Sequence, residues 1–235
     1  LRENQMNNFS ISVIIPSKND EDVFLKNYPS IKEFLVSKEW DFEIILVSNG
    51  SQDSNLKLIN PDELDINHIT TDLSGKGRAI KFGIEKSIYD NLLFMDADSS
   101  VSINELEKFV HKNDFIDDVV IGTRRTRNSK NLKTPFIRKI SGFMYIFLVN
   151  LLFSLNISDT QCGFKVFKKS DYLKIRKISF NNFSFDVELL VRFKEKNFTI
   201  VEIPVDYIHN SESNVKLFKD SFTMFIDLLK LRLRN

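Results

Sequence analysis

Leu92-Leu93-Phe94-Met95-Asp96-Ala97-Asp98 is the stretch whose reading decides the fold. Four apolar residues run into two carboxylates separated by one small residue. Such a run suits a strand buried on both faces, in the middle of a mostly parallel sheet. The aspartates then emerge at the carboxyl end of the strand, where open α/β sheets bind ligands. Carboxylates at this spacing can both reach one hard divalent cation, and that cation can also hold a substrate diphosphate. The competing reading is a strand followed by a capped helix, since Asp98, Ser99, Ser100 and Ser102 are all good cap residues.

Upstream, the pattern reads strand then helix four times over. Ile11 to Pro16 is a β-branched strand ended by proline, and Phe24, Leu25, Tyr28, Ile31, Phe34 and Leu35 follow at helical spacing. Phe42 to Val47 is a second strand, and Ser48-Asn49-Gly50-Ser51-Gln52-Asp53 is a turn opening into a further helix. Ile66 to Ile69 is a third strand, before the glycine loop Gly75-Lys76-Gly77 and a helix carrying Ile80 and Ile84. This alternation predicts a parallel sheet with right-handed crossovers. Downstream, short apolar runs at Val119–Gly122, Gly163–Phe167 and Thr199–Tyr207 read as strands. Asn104–His111 reads as a short helix, Pro135–Leu155 as a long one, and Phe185–Lys196 and Val215–Arg234 as two more, the last amphipathic.

Bulk properties narrow the function classes. The chain has 235 residues, 42% hydrophobic and 28% charged, with 22 Phe, which supports a large folded core. A formal net charge of +1 argues against a nucleic-acid partner. The single cysteine, Cys162, cannot close an internal disulfide, and Leu1–Asn8 is polar, so a cytoplasmic location is expected. The longest apolar run, Phe143 to Phe153, is about half of the ~20 residues a membrane span needs.

Polar residues gather where strands end and helices begin: Asn19 and Glu21, Ser48 and Asn49, Lys76, then Asp96 and Asp98. In a parallel sheet these points line one crevice. Hydrogen-bonding groups, a lysine and a carboxylate pair suit a nucleoside diphosphate with a cation. Glycines beside Lys76 let backbone approach a phosphate or ribose closely. The loop lacks the longer glycine pattern of nucleotide hydrolases.

In order along nearly the whole chain stand Val13-Ile14-Ile15-Pro16-Ser17-Lys18-Asn19-Asp20-Glu21, Gly75-Lys76-Gly77, Asp96-Ala97-Asp98, Ile121-Gly122-Thr123-Arg124, Asp159-Thr160-Gln161-Cys162-Gly163-Phe164-Lys165 and Phe185-Asp186-Val187-Glu188. With these the chain resembles the inverting family 2 glycosyltransferases of GT-A fold, within them the branch that uses polyprenyl phosphates, dolichyl-phosphate β-glucosyltransferases above all. The resemblance implies a single GT-A domain over 1–235, α/β with a mostly parallel central sheet flanked by helices and a C-terminal amphipathic helix. Residues 9–125 would hold the nucleotide sugar and residues 126–235 would face the acceptor and membrane. It implies transfer of a sugar, glucose from UDP-glucose, to a lipid-linked phosphate with inversion.

Carried over residue by residue, the resemblance assigns Pro16, Ser17, Asn19, Glu21, Ser48, Asn49, Lys76, Asp96 and Ala97 to the nucleotide sugar. Asp98, with Asp96 nearby, is assigned to Mg²⁺ or Mn²⁺. Arg124, Arg138 and Ser141 are assigned to the acceptor phosphate, and Asp159 to a catalytic base or to positioning the acceptor. Asp186 and Glu188 are expected to order the site. One departure stands out: the family carries two aspartates before the Gly-Ser pair, where this chain has Ser48 and Asn49. A hydroxyl or amide accepts a base N–H more weakly than a carboxylate does. A lipid acceptor implies peripheral membrane contact, on the cytoplasmic face, through the Phe- and Leu-rich helices. The alternative cover for those helices is the core or a second copy in a homo-oligomer. Two rival functions follow: a family 2 enzyme with a soluble saccharide acceptor, and a non-catalytic nucleotide-sugar-binding protein.

Overall fold

The computed structural model describes residues 9–124, 131–132, 136–175, 177–208 and 217–234. Its first half alternates β1 (Ser10–Ser17), α1 (Glu21–Ser37), β2 (Asp41–Asn49), β3 (Asn67–Thr71), α2 (Lys76–Lys86) and β4 (Asn91–Met95). Then come β5 (Val119–Thr123), α3 (Phe136–Phe153), β6 (Phe164–Lys168), α4 (Phe185–Glu195), β7 (Ile200–Pro204) and α5 (Leu217–Arg234). The seven strands form one sheet in the order β7-β5-β6-β4-β1-β2-β3. All neighbours are parallel except β6, which runs antiparallel to both β4 and β5.

The apolar runs are explained by burial on both faces. Along β4, Leu93 and Met95 join the core beneath α1, while Leu92 and Phe94 join the core beneath α2 and α4. The same two-sided division holds for Val13 and Ile14 of β1, and for Val120 and Ile121 of β5. Period-2 alternation of side chains across a strand then requires every position to be apolar.

Three local readings are corrected. The stretch read as a helix over Asn104–His111 is a 3-10 turn, Ile103–Lys108, followed by a small hairpin of Val110–His111 with Asp114–Phe115. Ser102 does cap that turn, with Oγ accepting from Asn104 N at 3.3 Å, so part of the competing cap reading is true. The last strand stops at Pro204, and Tyr207–Ile208 pairs instead with Asn131–Leu132. The helix expected to open at Asp53 is a single turn, Asp53–Leu56.

α3 and α5 pack against each other. Ile146 and Val149 of α3 and Leu228 and Leu231 of α5 are buried. The other side of α3 presents Phe143, Met144, Phe147 and Leu151, each 59–69% exposed, and α5 presents Phe225, Leu229 and Leu233. Among the described residues no helix is long and apolar enough to cross a membrane.

Candidate active site

The carboxyl ends of β1, β2 and β3 lie side by side, with Ser17 beside Ser48 and Ser48 beside Thr70. Asn19 stands at φ 58°, a conformation asparagine tolerates better than most side chains. From there its Oδ1 accepts from Gln52 N at 2.7 Å, and its own N–H donates to Ser51 Oγ at 3.0 Å. Ser51 Oγ also donates to Glu21 Oε1 at 2.6 Å. These bonds tie the turn after β1 to the turn after β2. Pro16 lies past Ile14, the last residue of β1 paired with β4.

Ser48 and Asn49, expected to contact the base directly, have other partners. Asn49 is buried, donates from Nδ2 to Ser17 O at 2.6 Å and accepts at Oδ1 from Gly75 N at 2.7 Å. Its amide is therefore a strut between β1 and the glycine loop. Ser48 is equally buried, and its Oγ lies 2.9 Å from His68 Nε2. Burial lowers the His68 pKa, against an opposing pull from Glu21. The buried polar atoms without a partner at this end, among the described residues, are Ser17 Oγ and Glu21 Oε2.

At the centre, Gly75 has φ +143°, which no other residue adopts without strain, and it turns the chain into α2. The first residue of α2, Lys76, places Nζ 2.7 Å from Asp96 Oδ1 and 4.0 Å from Asp186 Oδ2. Burial alone would lower its pKa, but Asp96 and Asp186 more than offset that and raise it, so Lys76 is a fixed cation. Asp96 is held from the other side by Gly163, whose O accepts from Asp96 N at 3.2 Å. A methyl group at Gly163 would fall inside the Asp96 carboxylate. The glycine of the Asp-Thr-Gln-Cys-Gly segment is thus required by the residue that follows β4, a pairing the sequence did not disclose.

Asp98 accepts from Ser100 N at 2.9 Å and from Ser100 Oγ at 2.6 Å. Ala97 O accepts from Asn27 Nδ2 at 3.1 Å. Two hard carboxylates with no third His, Cys, Asp or Glu clustered beside them, among the described residues, fit a Mg²⁺- or Mn²⁺-type ion completed by substrate phosphates.

Arg124 and Asp159, expected to serve the acceptor separately, engage each other. Arg124 Nε reaches Asp159 Oδ2 at 2.7 Å, Nη2 reaches Oδ1 at 2.9 Å, and the Arg124 N–H adds a third bond at 3.1 Å. Asp159 is 1% exposed. Burial works against the Arg124 charge, yet Asp159 holds its pKa well above the ordinary value. Its guanidinium carbon also sits 5.0 Å from the centre of the Tyr207 ring. Behind the pair, Glu202 of β7 accepts from Ser158 N, Ser158 Oγ and Asp159 N at 2.7–3.0 Å. Nothing in the sequence marks Tyr207 or Glu202, since an isolated Glu in a strand and a Tyr beyond it carry no pattern. The side chains of Arg138 and Ser141 lie outside the described residues.

Asp186 and Glu188 act from α4. Asp186 is ion-paired to the fully buried Lys165, and Glu188 accepts from Ser179 N at 2.9 Å and Phe180 N at 2.8 Å. The same loop offers Asn181 O to Arg78 N at 3.1 Å, so α4 supports the start of α2.

Residues 12–176 match the family model for glycosyl transferase family 2. The dolichyl-phosphate beta-glucosyltransferase of Dictyostelium discoideum is 29% identical over 250 residues, covering 99% of this chain and 76% of its own. Among solved structures, mannosyl-3-phosphoglycerate synthase from Rubrobacter xylanophilus superposes with a TM-score of 0.74 at 14% identity, over 96% of this chain and 74% of its own. Glucosyl-3-phosphoglycerate synthase from Mycobacterium tuberculosis, in complex with Mn²⁺, UDP-glucose and phosphoglyceric acid, gives 0.71 at 15% identity, over 95% and 79%. The fold is the GT-A arrangement expected from the sequence.

Proposed function

The chain belongs to glycosyl transferase family 2, and from that premise we propose that it moves glucose from UDP-glucose to a polyprenyl-type lipid phosphate with inversion. The observation that carries the reading is the Lys76–Asp96 ion pair at the carboxyl end of β4, two residues before a second hard carboxylate, Asp98. It suits a diphosphate that leaves with its charge compensated. The lipid acceptor is supported by the likeness to the Dictyostelium enzyme across 99% of this chain.

In this reading residues 9–125 hold the donor, and residues 126–235 face the acceptor and membrane. Ser17 and Glu21, with unpartnered buried oxygens, meet the nucleoside, while Asn49 keeps the glycine loop in place. Lys76, the first residue of α2, faces the diphosphate at the positive end of that helix. Asp98 and Asp96 would hold Mg²⁺ or Mn²⁺, which would supply positive charge to a diphosphate leaving group. The acceptor is a phosphate monoester with a second pKa of about 6, so it attacks as an anion without a strong base. Asp159 therefore orients Arg124 rather than taking a proton. Arg124 then presents a fixed planar cation at the acceptor side, with Arg138 and Ser141 as further candidates.

The exposed apolar side of α3, with the basic end of α5 (Lys230, Arg232, Arg234), suits contact with the membrane that carries the lipid. The test is UDP release from UDP-glucose with Mn²⁺, with and without a short polyprenyl phosphate. Release that requires the lipid phosphate supports the proposal. Release driven instead by a soluble saccharide would transfer the assignment to that acceptor class.

A further inference from the structure

The loop that leads into α4 touches the glycine loop on one side and the last helix on the other. Towards the glycine loop, Arg78 N donates to Asn181 O at 3.1 Å. Lys81 Nζ donates to Asn181 Oδ1 at 2.6 Å and to Phe180 O at 3.1 Å. A methyl group on Gly75 would collide with Asn181 O, and one on Gly77 with the Phe185 side chain. The two glycines that flank Lys76 therefore rest directly on Asn181 and Phe185. The next residue, Asp186, lies 4.0 Å from Lys76 Nζ.

Towards the last helix, the same segment is gripped by α5. Asp227 Oδ2 accepts from Asn182 Nδ2 at 2.8 Å and from Ser184 Oγ at 2.9 Å. Asn182 Oδ1 accepts from Ser184 N at 2.9 Å, which locks the two donors to each other. Arg234 Nη1 adds a bond to Ser179 Oγ at 3.1 Å. Asp227 is buried, beside Leu228 and in a helix that otherwise turns leucines inward. A buried carboxylate adds little to packing, because its hydrogen bonds chiefly offset the cost of taking it from water. What it does provide is a fixed place for the groups that donate to it. Here the donors, Asn182 and Ser184, lie between Asn181, which touches Gly75, and Phe185, which touches Gly77.

We infer that Asp227 is a positioning residue for the donor: through Asn182 and Ser184 it holds the segment on which the glycine loop rests, and so keeps Lys76 opposite Asp96. The inference rests on the reading that Lys76 faces the diphosphate, and it adds a residue of the last helix to the donor side. Without the Asp227 anchor the 181–185 segment is released, and the glycine loop loses the surface that fixes Lys76. Small displacements of a charged group at a site of this kind weaken its hold on the ligand without unfolding the sheet.

Two measurements on the full chain test this, each for wild type, Asp227→Leu and Asp227→Asn. Amide hydrogen exchange without ligand reads the loop itself. In Asp227→Leu the peptide over residues 75–81 should exchange at least about fivefold faster, while residues 91–95 of β4 keep the wild-type rate; a general loss of stability would speed both. Calorimetry with UDP and Mn²⁺ reads the consequence. Asp227→Leu should bind UDP about five- to tenfold more weakly, on the order of one hydrogen bond's net worth. Asp227→Asn keeps an acceptor oxygen for Asn182 and Ser184 and should stay within about twofold of wild type in both measurements. Unchanged exchange over 75–81, equal acceleration of both peptides, or wild-type UDP affinity in a folded Asp227→Leu overturns the inference. A wild type that binds no UDP overturns the donor reading instead, and the exchange comparison still decides whether Asp227 anchors the loop. If thermal scanning shows Asp227→Leu unfolded, Ser184→Ala, which removes one of the two bonds, replaces it, with an expected loss of about threefold.

Discussion

Replacing Arg124 by alanine separates a structural pair from a free phosphate-binding arginine. Asp159 is 1% exposed and Arg124 24%, and three hydrogen bonds join them. Removing one partner of a buried, hydrogen-bonded ion pair costs about 3–5 kcal/mol, because the remaining charge loses its compensation. Arg124 keeps some solvent access, which argues for the lower end, about 3 kcal/mol. For a chain of this length each kcal/mol moves Tm by roughly 2–4 °C, so Arg124→Ala should melt roughly 6–12 °C below wild type. The double variant Arg124→Ala/Asp159→Ala removes the buried charge as well, and should be more stable than the sum of the single losses by at least about 1 kcal/mol. Both measurements are thermal or urea melts followed by circular dichroism. In a UDP-release assay, Asp159→Ala should harm acceptor use as much as Arg124→Ala, because one residue works through the other. Arg124→Ala melting within 2 °C of wild type, with only the acceptor KM raised, would refute the pairing argument.

Gly163→Ala should lower kcat at least about a hundredfold with the far-UV spectrum unchanged, since the added methyl displaces the Asp96 carboxylate from Lys76; an active Gly163→Ala enzyme contradicts that contact. Cys162 is fully buried and its thiol is pushed up to about 12, chiefly by burial, so the native chain should resist a thiol-specific reagent at pH 8 and react only after denaturation. Burial lowers the His68 pKa below 6.5, so the unfolded chain binds the proton more readily than the folded one. The stability linked to His68 is therefore present above pH 6.5 and lost as the pH falls through the folded value. Tm should drop between pH 7 and pH 5, and His68→Gln should flatten that slope; an unchanged slope would assign the acid sensitivity to other groups.

Much of the sheet was legible because two-sided burial leaves a dense local signal. Val13-Ile14-Ile15, Ile44-Ile45-Leu46-Val47 and Leu92-Leu93-Phe94-Met95 have no polar position to spare, and the polar residues that follow them mark the strand ends. Nothing in Phe164–Lys168 distinguishes an antiparallel strand from a parallel one, and it pairs with both β4 and β5 in the opposite sense. Strand direction depends on the path of the connecting chain, which local pattern does not encode.

The sequence alone determined that the chain builds an α/β sheet whose carboxyl edge gathers Asn19, Glu21, Lys76, Asp96 and Asp98. Side-chain periodicity and strand-end chemistry are local properties, so adjacent residues suffice to read them. Only the tertiary structure decided what those residues do to one another. It paired Arg124 with Asp159, 35 residues away, where the sequence suggested two independent roles. It tied Asn49 to both Ser17 O and Gly75 N, and set Gly163 against Asp96. Hydrogen-bond partners across such separations are chosen by which loops the sheet brings together, and that choice exists only once the chain has folded.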